Sequence, residues 1–158
     1  MYESDRLGRG RCVMQLGSVA YERSREARAT KRPAEAPLRQ LKEAVRLYHD
    51  ALRLLPTDAV NDLAVSHNQL GAIYDDAGDL NSALSHYQQS LHFEEMQSNL
   101  YGASRTRFNL ALAFCRVGRR ADALEYAKAA LRGFEGYGER AAAEIKMTHG
   151  LIVEIRRR

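Results

Sequence analysis

The chain of 158 residues is expected to be all-α: a solenoid of helical hairpins closed by one further helix. Three features of the sequence lead there. First, it repeats itself: Leu70-Gly71, Tyr74, Gly78, Ala83-Leu84 and Leu91 return at an offset of 40 as Leu110-Ala111, Phe114, Gly118, Ala123-Leu124 and Leu131. A fixed period of this length marks units too small to bury their own apolar face, which must stack on their neighbours. Second, apolar residues fall at helical spacing, as in Leu63, Leu70, Ile73 and Tyr74, then Leu84, Tyr87 and Leu91. No long run of alternating β-branched residues suggests a strand. Third, Pro and Gly stand where helices must stop. Pro56-Thr57-Asp58 ends one helix and offers a cap to the next. Gly78 and Gly118 can take the left-handed conformation that closes a helix.

Taken in order, helices are expected at 10–30, 38–55, 59–77, 80–96, 100–117, 120–134 and 139–157. The second follows from Ala44, Tyr48 and Ala51-Leu52, which match Ala83, Tyr87 and Ser90-Leu91 at an offset of 39. Its partner is 10–30. The first hairpin is longer than the others: the offset from Gly17 to Ala44 is 27, against 12 from Gly71 to Ala83 and from Ala111 to Ala123. The extra residues fall in Ser24 to Pro37, which holds Arg25, Arg28, Lys31 and Arg32 followed by Pro33 and Pro37. A lengthened first helix and an exposed, Pro-limited loop are expected there. Helices 59–77 with 80–96 and 100–117 with 120–134 form the second and third hairpins. Gly133, Gly136 and Gly138 crowd the next turn. Helix 139–157 reads as the first half of a fourth unit, Leu110 mapping to Leu151 and Phe114 to Ile155 at an offset of 41. A terminal half-unit covers the open end of a solenoid. One domain follows, with repeats at about 10–56, 59–97 and 100–136 and a cap at 139–157. The Ala/Arg-rich composition and the incomplete fourth unit suggest part of a larger bacterial protein.

These residues resemble the tetratricopeptide repeat. His67, Leu70-Gly71, Tyr74, Gly78, Ala83, Tyr87 and Ser90 match one repeat. Arg107, Leu110-Ala111, Phe114, Gly118, Ala123, Ala127 and Ala130 match a second less fully, and Ala44, Tyr48, Ala51 and Pro56 supply the second helix of the first. The small residues Gly71, Ala111, Ala83 and Ala123 let paired helices approach, and Tyr74, Phe114 and Tyr87 fill the space between hairpins. A period of 40 rather than 34 is similar to the longer repeats of kinesin light chains, of Pins-type adaptors, and of the sensor regions of bacterial signalling ATPases and caspase-like (CHAT) proteases. The resemblance implies a right-handed solenoid that serves as a protein-interaction module, a sensor or scaffold, and binds a protein or peptide in its concave groove.

In the adaptor family, Arg and Asn on the first helices grip an extended, often acidic peptide. The position five before the key Leu carries Arg11, Arg105 and Lys146 here, with Val65 breaking the series. The position before that Leu carries Gln15, Gln69 and Asn109, with Gly150 breaking it; Asn68 stands beside Gln69. The partner-binding candidates are therefore Arg11, Gln15, Asn68, Gln69, Arg105, Asn109 and Lys146. Charge-assisted bonds to carboxylates would supply specificity on such a face. The competing reading is a merely solvated helical surface.

No other chemistry stands out. No GxxxxGK[ST] loop is present, and Gly8-Arg9-Gly10 follows no strand. None of the histidines (His49, His67, His86, His92 and His149) falls in HExxH or a close ligand cluster, and His67 is expected to be a core residue. Cys12 and Cys115 are far apart and outside any CxxC, so neither a disulfide framework nor a zinc site is expected, and Cys115 reads as a structural thiol. Glu94-Glu95 reads as a solvated helix end. No catalytic residue, metal or cofactor is expected, and the chain is not expected to be an enzyme.

Charge leaves one alternative. Residues 1–32 hold 8 Lys/Arg against 4 Asp/Glu, residues 33–118 hold 7 against 10, and residues 119–158 hold 9 against 6. The basic ends, Arg23 to Arg32 and Arg156-Arg157-Arg158, could contact phosphates, so an accessory nucleic-acid-binding domain is the alternative reading. Stacking aromatics are not interleaved with these residues, which argues against sequence-specific RNA reading. No stretch reaches the ~18–20 apolar residues that span a membrane. Met1 to Arg11 is polar and lacks an apolar core, so no secretory signal is expected and the cytoplasm is the expected compartment.

Overall fold

The structure, a computed structural model, describes residues 2–157. It is a right-handed solenoid of three helical hairpins and a C-terminal capping helix, with no strand among the described residues. The helices are α1 (Tyr2–Ala29), α2 (Glu35–Leu54), α3 (Val60–Ala77), α4 (Leu80–Met96), α5 (Leu100–Arg116), α6 (Arg120–Glu135) and α7 (Ala142–Arg157), with a 3-10 turn at Gly138–Ala141 before the last.

The helix ends follow local chemistry. Asp79 Oδ1 accepts from Ser82 N at 3.1 Å and Asn99 Oδ1 from Gly102 N at 3.0 Å, so α4 and α5 begin on side-chain caps. Asp58 makes no such cap; α3 begins one residue later, behind Ala59. Four helix ends close through one left-handed residue: Lys31 (φ 51°), Gly78 (82°), Ser98 (56°) and Gly118 (76°). In each the following N–H reaches back five residues, as in Asp79 N to Tyr74 O and Arg119 N to Phe114 O. Gly133, expected in a turn, lies inside α6; its missing Cβ leaves room for the Ser104 hydroxyl.

The repeat holds in three dimensions. Leu63, Ala64, Ser66, Leu70, Gly71 and Ile73 are buried in α3, and their equivalents at an offset of 40, Ala103, Ser104, Thr106, Leu110, Ala111 and Ala113, are buried in α5. One face meets the partner helix of the same hairpin. A Cβ on Gly71 would stand 2.5 Å from Tyr87 Cδ1, and one on Gly17 would stand 3.0 Å from the Tyr48 ring. The third hairpin carries Ala111 at the glycine position and Ala127 at the tyrosine position, both fully buried. The other face, Leu70 and Ile73 or Leu110 and Ala113, packs on the preceding hairpin.

Three further expectations are corrected. The first helix starts eight residues early, at Tyr2, because its opening turns run past the end of α2: Gly10 lies against Leu55, and Arg6 Nη2 donates to Arg53 O at 3.2 Å. The insertion is mainly helix rather than exposed loop. Ser24 and Pro37 are buried and joined, Ser24 Oγ donating to Pro37 O at 2.9 Å, so both helices lengthen and only a short exposed link remains between them. The cap is out of register by one. Thr148, Ile152 and Ile155 are its buried residues, and they match Thr106, Leu110 and Ala113 at an offset of 42, with Leu151 only half-buried.

Candidate functional site

The first helices of the hairpins and α7 share one face of the solenoid. Along α5 the residues Arg105, Phe108, Asn109, Leu112, Cys115 and Arg116 recur at i, i+3, i+4, i+7, i+10 and i+11, which is a single stripe. The stripe faces α7 across two hollows. The first, of about 250 Å³, is lined by Arg105, Phe108, Asn109, Phe134, Glu144, Met147 and Thr148. The second, of about 680 Å³, lies toward the other end of the same helices and is lined in part by Leu112, Cys115, Arg116, Arg120, Leu151 and Ile155.

Two of the seven residues expected at the site, Arg105 and Asn109, meet in the first hollow. Arg105 is exposed and Asn109 half-buried, and neither makes an ion pair or hydrogen bond among the described residues. Their surroundings are fixed. Tyr101 OH donates to Glu144 Oε1 at 2.7 Å, which holds the Glu144 carboxyl below its usual range. The Glu144 carboxylate is therefore engaged at the hollow's edge.

The remaining five fall elsewhere. Arg11 grips Asp62 with Nε at 3.1 Å and Nη2 at 2.9 Å from Oδ2, and this bond raises its guanidinium pKa. It ties α1 to the first turn of α3. Asn68 Nδ2 donates to Thr106 Oγ1 at 2.8 Å and so bridges α3 and α5. Gln15 is exposed on α1 and Gln69 half-buried on α3, with no hydrogen bond to other described residues. Lys146 is exposed but does not line the hollow; Met147 does. The one-residue slip of α7 explains this, since it turns each side chain by ~100° around the helix.

More bonds cross the same face and fix its spacing. Tyr21 OH donates to Asp76 Oδ2 at 2.8 Å between α1 and α3, and Arg116 Nη1 lies 2.6 Å from Asp75 Oδ1 between α5 and α3. Sequence reasoning missed the apolar and acidic members of the hollows: Phe108, Leu112, Glu144, Met147, Leu151 and Ile155. The i, i+3, i+4, i+7 stripe of α5 was the available signal for the first two.

Two groups expected to be unremarkable are not. His49, His67 and His86 converge from three helices, with His67 Nδ1 2.9 Å from His86 Nδ1 and His49 Nε2 3.2 Å from Tyr74 OH. One of the two facing nitrogens must carry the proton and the other accept it. Burial pushes His67 down to about 4, with His86 and His49 adding to the shift, and burial also lowers His86. Among the described residues no group of three or more His, Cys, Asp or Glu is placed to hold a metal. Glu94 is buried rather than solvated; desolvation raises its carboxyl, opposed by a hydrogen bond with Thr106. Its neighbour Glu95 pairs with Arg107 at 2.7 Å. The reason is that α4 continues past the hairpin and lays Glu94 against the start of α5, where Gly102 leaves room for it.

No protein-family model matches the chain, and no curated protein matches it by sequence. Solved structures do match in shape. The N-terminal domain of stress-induced protein-1 from C. elegans superposes with a TM-score of 0.55 at 12% identity, over 87% of this chain and 97% of that one. BtubC from P. vanneervenii superposes with a TM-score of 0.55 at 18% identity, over 92% of this chain and 74% of that one. Aspartyl phosphate phosphatase F from Bacillus subtilis gives 0.56 at 18% identity, over 91% of this chain but 37% of that one. The chain shares with these proteins the tetratricopeptide-like helical-repeat fold.

Proposed function

We propose that the chain is a protein-interaction module that binds an extended segment of a partner protein along the face of its first helices. The observation that carries this is the first hollow: Arg105 and Asn109, neither in an ion pair or hydrogen bond among the described residues, stand beside the apolar Phe108 and Met147. A guanidinium outside any ion pair suits a carboxylate, and an unbonded carboxamide suits a peptide backbone. The reading extends to a sensor or scaffold part of a larger bacterial protein, working in the cytoplasm. No catalytic role is proposed.

A basic, nucleic-acid-binding surface has less to support it. Several N-terminal arginines are already engaged: Arg9 with Asp5 at 3.0 Å, Arg25 with Glu22 at 3.2 Å and Arg28 with Asp76 at 3.7 Å. Of the C-terminal tail, Arg158 lies outside the described residues.

The test is selection of peptides on the purified protein from a random library, followed by affinity measurement of the enriched sequences. Acidic peptides are expected, with Arg105→Glu weakening them tenfold or more at an unchanged melting temperature, about 1.4 kcal/mol or greater. Arg157→Glu should matter little. Tight, salt-sensitive binding of random duplex DNA that Arg157→Glu abolishes and Arg105→Glu spares would overturn the reading.

A further inference from the structure

The second hollow adds a chemical specification that rests on the groove reading above. Its wall is mainly apolar, formed by Leu112, Leu151 and Ile155 with Cys115, and Glu154 also lines it. Leu112 is 38% exposed, although it sits mid-helix in the stripe that faces α7. The rim is polar. Arg116 is held by Asp75 on one side, and Arg120 Nη2 donates to Arg156 O at 2.6 Å on the other. The volume of about 680 Å³ lies within the range of pockets that take up organic groups.

Position along α5 relates this hollow to the first one. Arg105, Asn109 and Leu112 follow at i, i+4 and i+7 on one side of the helix. At ~1.5 Å per residue, Arg105 and Leu112 are separated by roughly 10 Å along the axis. A polyproline II chain, with three residues per turn at ~3.1 Å each, covers that distance in about three residues and returns its side chains to one side. Asn109, whose carboxamide makes no hydrogen bond among the described residues, lies between them.

We infer that the occupant is a partner segment in polyproline II conformation with two anchors three residues apart. An Asp or Glu meets Arg105, and a large aliphatic or aromatic side chain enters the hollow of Leu112, Leu151 and Ile155. Asn109 bonds the backbone between them. Charge complementarity selects the first anchor, because Arg105 is the stripe's cation that makes no ion pair among the described residues, whereas Arg116 is paired. The apolar wall selects the second. A purely acidic segment would leave Leu112 and Leu151 wet, and a purely apolar one would cover the Arg105 guanidinium without bonding it, leaving it only the nearby charges of Glu144 and Glu94.

The experiment uses synthetic ten-residue peptides and fluorescence anisotropy on the full chain. One set carries Asp and Leu separated by two residues; matched sets have the Leu adjacent to the Asp, six residues away, or changed to Ser. The two-residue spacing is expected to bind at least tenfold tighter than the other sets. Leu112→Glu should remove that advantage while leaving the Ser peptides unaffected, and Arg105→Glu should weaken both kinds. Leu151→Lys repeats the Leu112 test from the facing helix, and circular dichroism melting shows that each variant is folded. If Arg105→Glu weakens binding but neither Leu112→Glu nor Leu151→Lys discriminates Leu from Ser peptides, the apolar anchor is wrong and the groove stands. If no peptide set binds, or binding ignores all three substitutions, both fall.

Discussion

At the scale of single residues, the histidine cluster makes stability depend on pH. The unfolded chain takes up protons near the ordinary histidine value of ~6.5. Folded His67 resists until about 4, because the charged ring would be desolvated beside two other imidazoles. The unfolded state therefore binds more protons between these values. The contribution is complete above pH ~6.5 and is lost as pH falls toward about 4. His86, lowered by burial, acts in the same sense. Glu94, raised by burial, acts in the opposite sense, because its protonated form suits the fold. His67→Phe, which keeps a ring next to Phe93 (ring centroids 5.7 Å apart), isolates the histidine part. With allowance for the solvent that reaches the site, the variant should lose about 1–2 kcal/mol less than the wild type between pH 7 and 4.5. Urea titrations at a series of pH values measure this. Parallel profiles would show that His67 titrates normally in the fold.

At the scale of elements, the helix ends show how far local sequence speaks. Gly78 and Gly118 announced their turns because glycine takes φ of 82° and 76° without strain. The same left-handed closure at Lys31 and Ser98 was invisible, since neither residue prefers φ of 51° or 56°. There the turn is closed by backbone bonds, Arg32 N to Ala27 O at 3.0 Å and Asn99 N to Glu94 O at 2.9 Å, rather than by propensity. Replacing Ser98 with Gly, or Lys31 with Gly, should accordingly stabilise the protein by roughly 0.5–1 kcal/mol, minus the extra entropy glycine gives the unfolded chain. Thermal denaturation decides it; a drop in melting temperature for both would mean that the side chains matter more than the backbone strain. The insertion was hard to read for a related reason. Pro33 and Pro37 look like a loop in one dimension, but Pro is tolerated in the first turn of a helix, and Pro37 occupies that turn of α2.

At the scale of the molecule, the constant offset between repeats disclosed the solenoid because stacking forces the same positions into the core of each unit. The candidate site was only partly legible. Arg105 and Asn109 came from position within the repeat, whereas their neighbours come from α7, whose register the 3-10 turn shifts by one. Place in the array also sets what a residue is worth. Cys12, Leu16 and Val19 of α1 occupy the positions of Ser66, Leu70 and Ile73, yet Leu16 is 57% and Val19 47% exposed, while Leu70 and Ile73 are 0%. Leu70→Ala and Leu110→Ala should each cost about 2–5 kcal/mol. Leu16→Ala should cost less than about 1. Equal losses by chemical denaturation at all three sites would mean that something covers α1.

The matched pairs Gly71 with Tyr87 and Ala111 with Ala127 have a further consequence for recombination. The hairpins look interchangeable, but their halves are not. A chimera that sets α5 against α4 would drive the Ala111 methyl into the Tyr87 ring, where even a bare Cβ has only 2.5 Å. The reverse graft, α3 against α6, would place glycine opposite alanine and leave a void instead of a clash. Exchange within this array is thus permitted by whole hairpins and resisted by single helices.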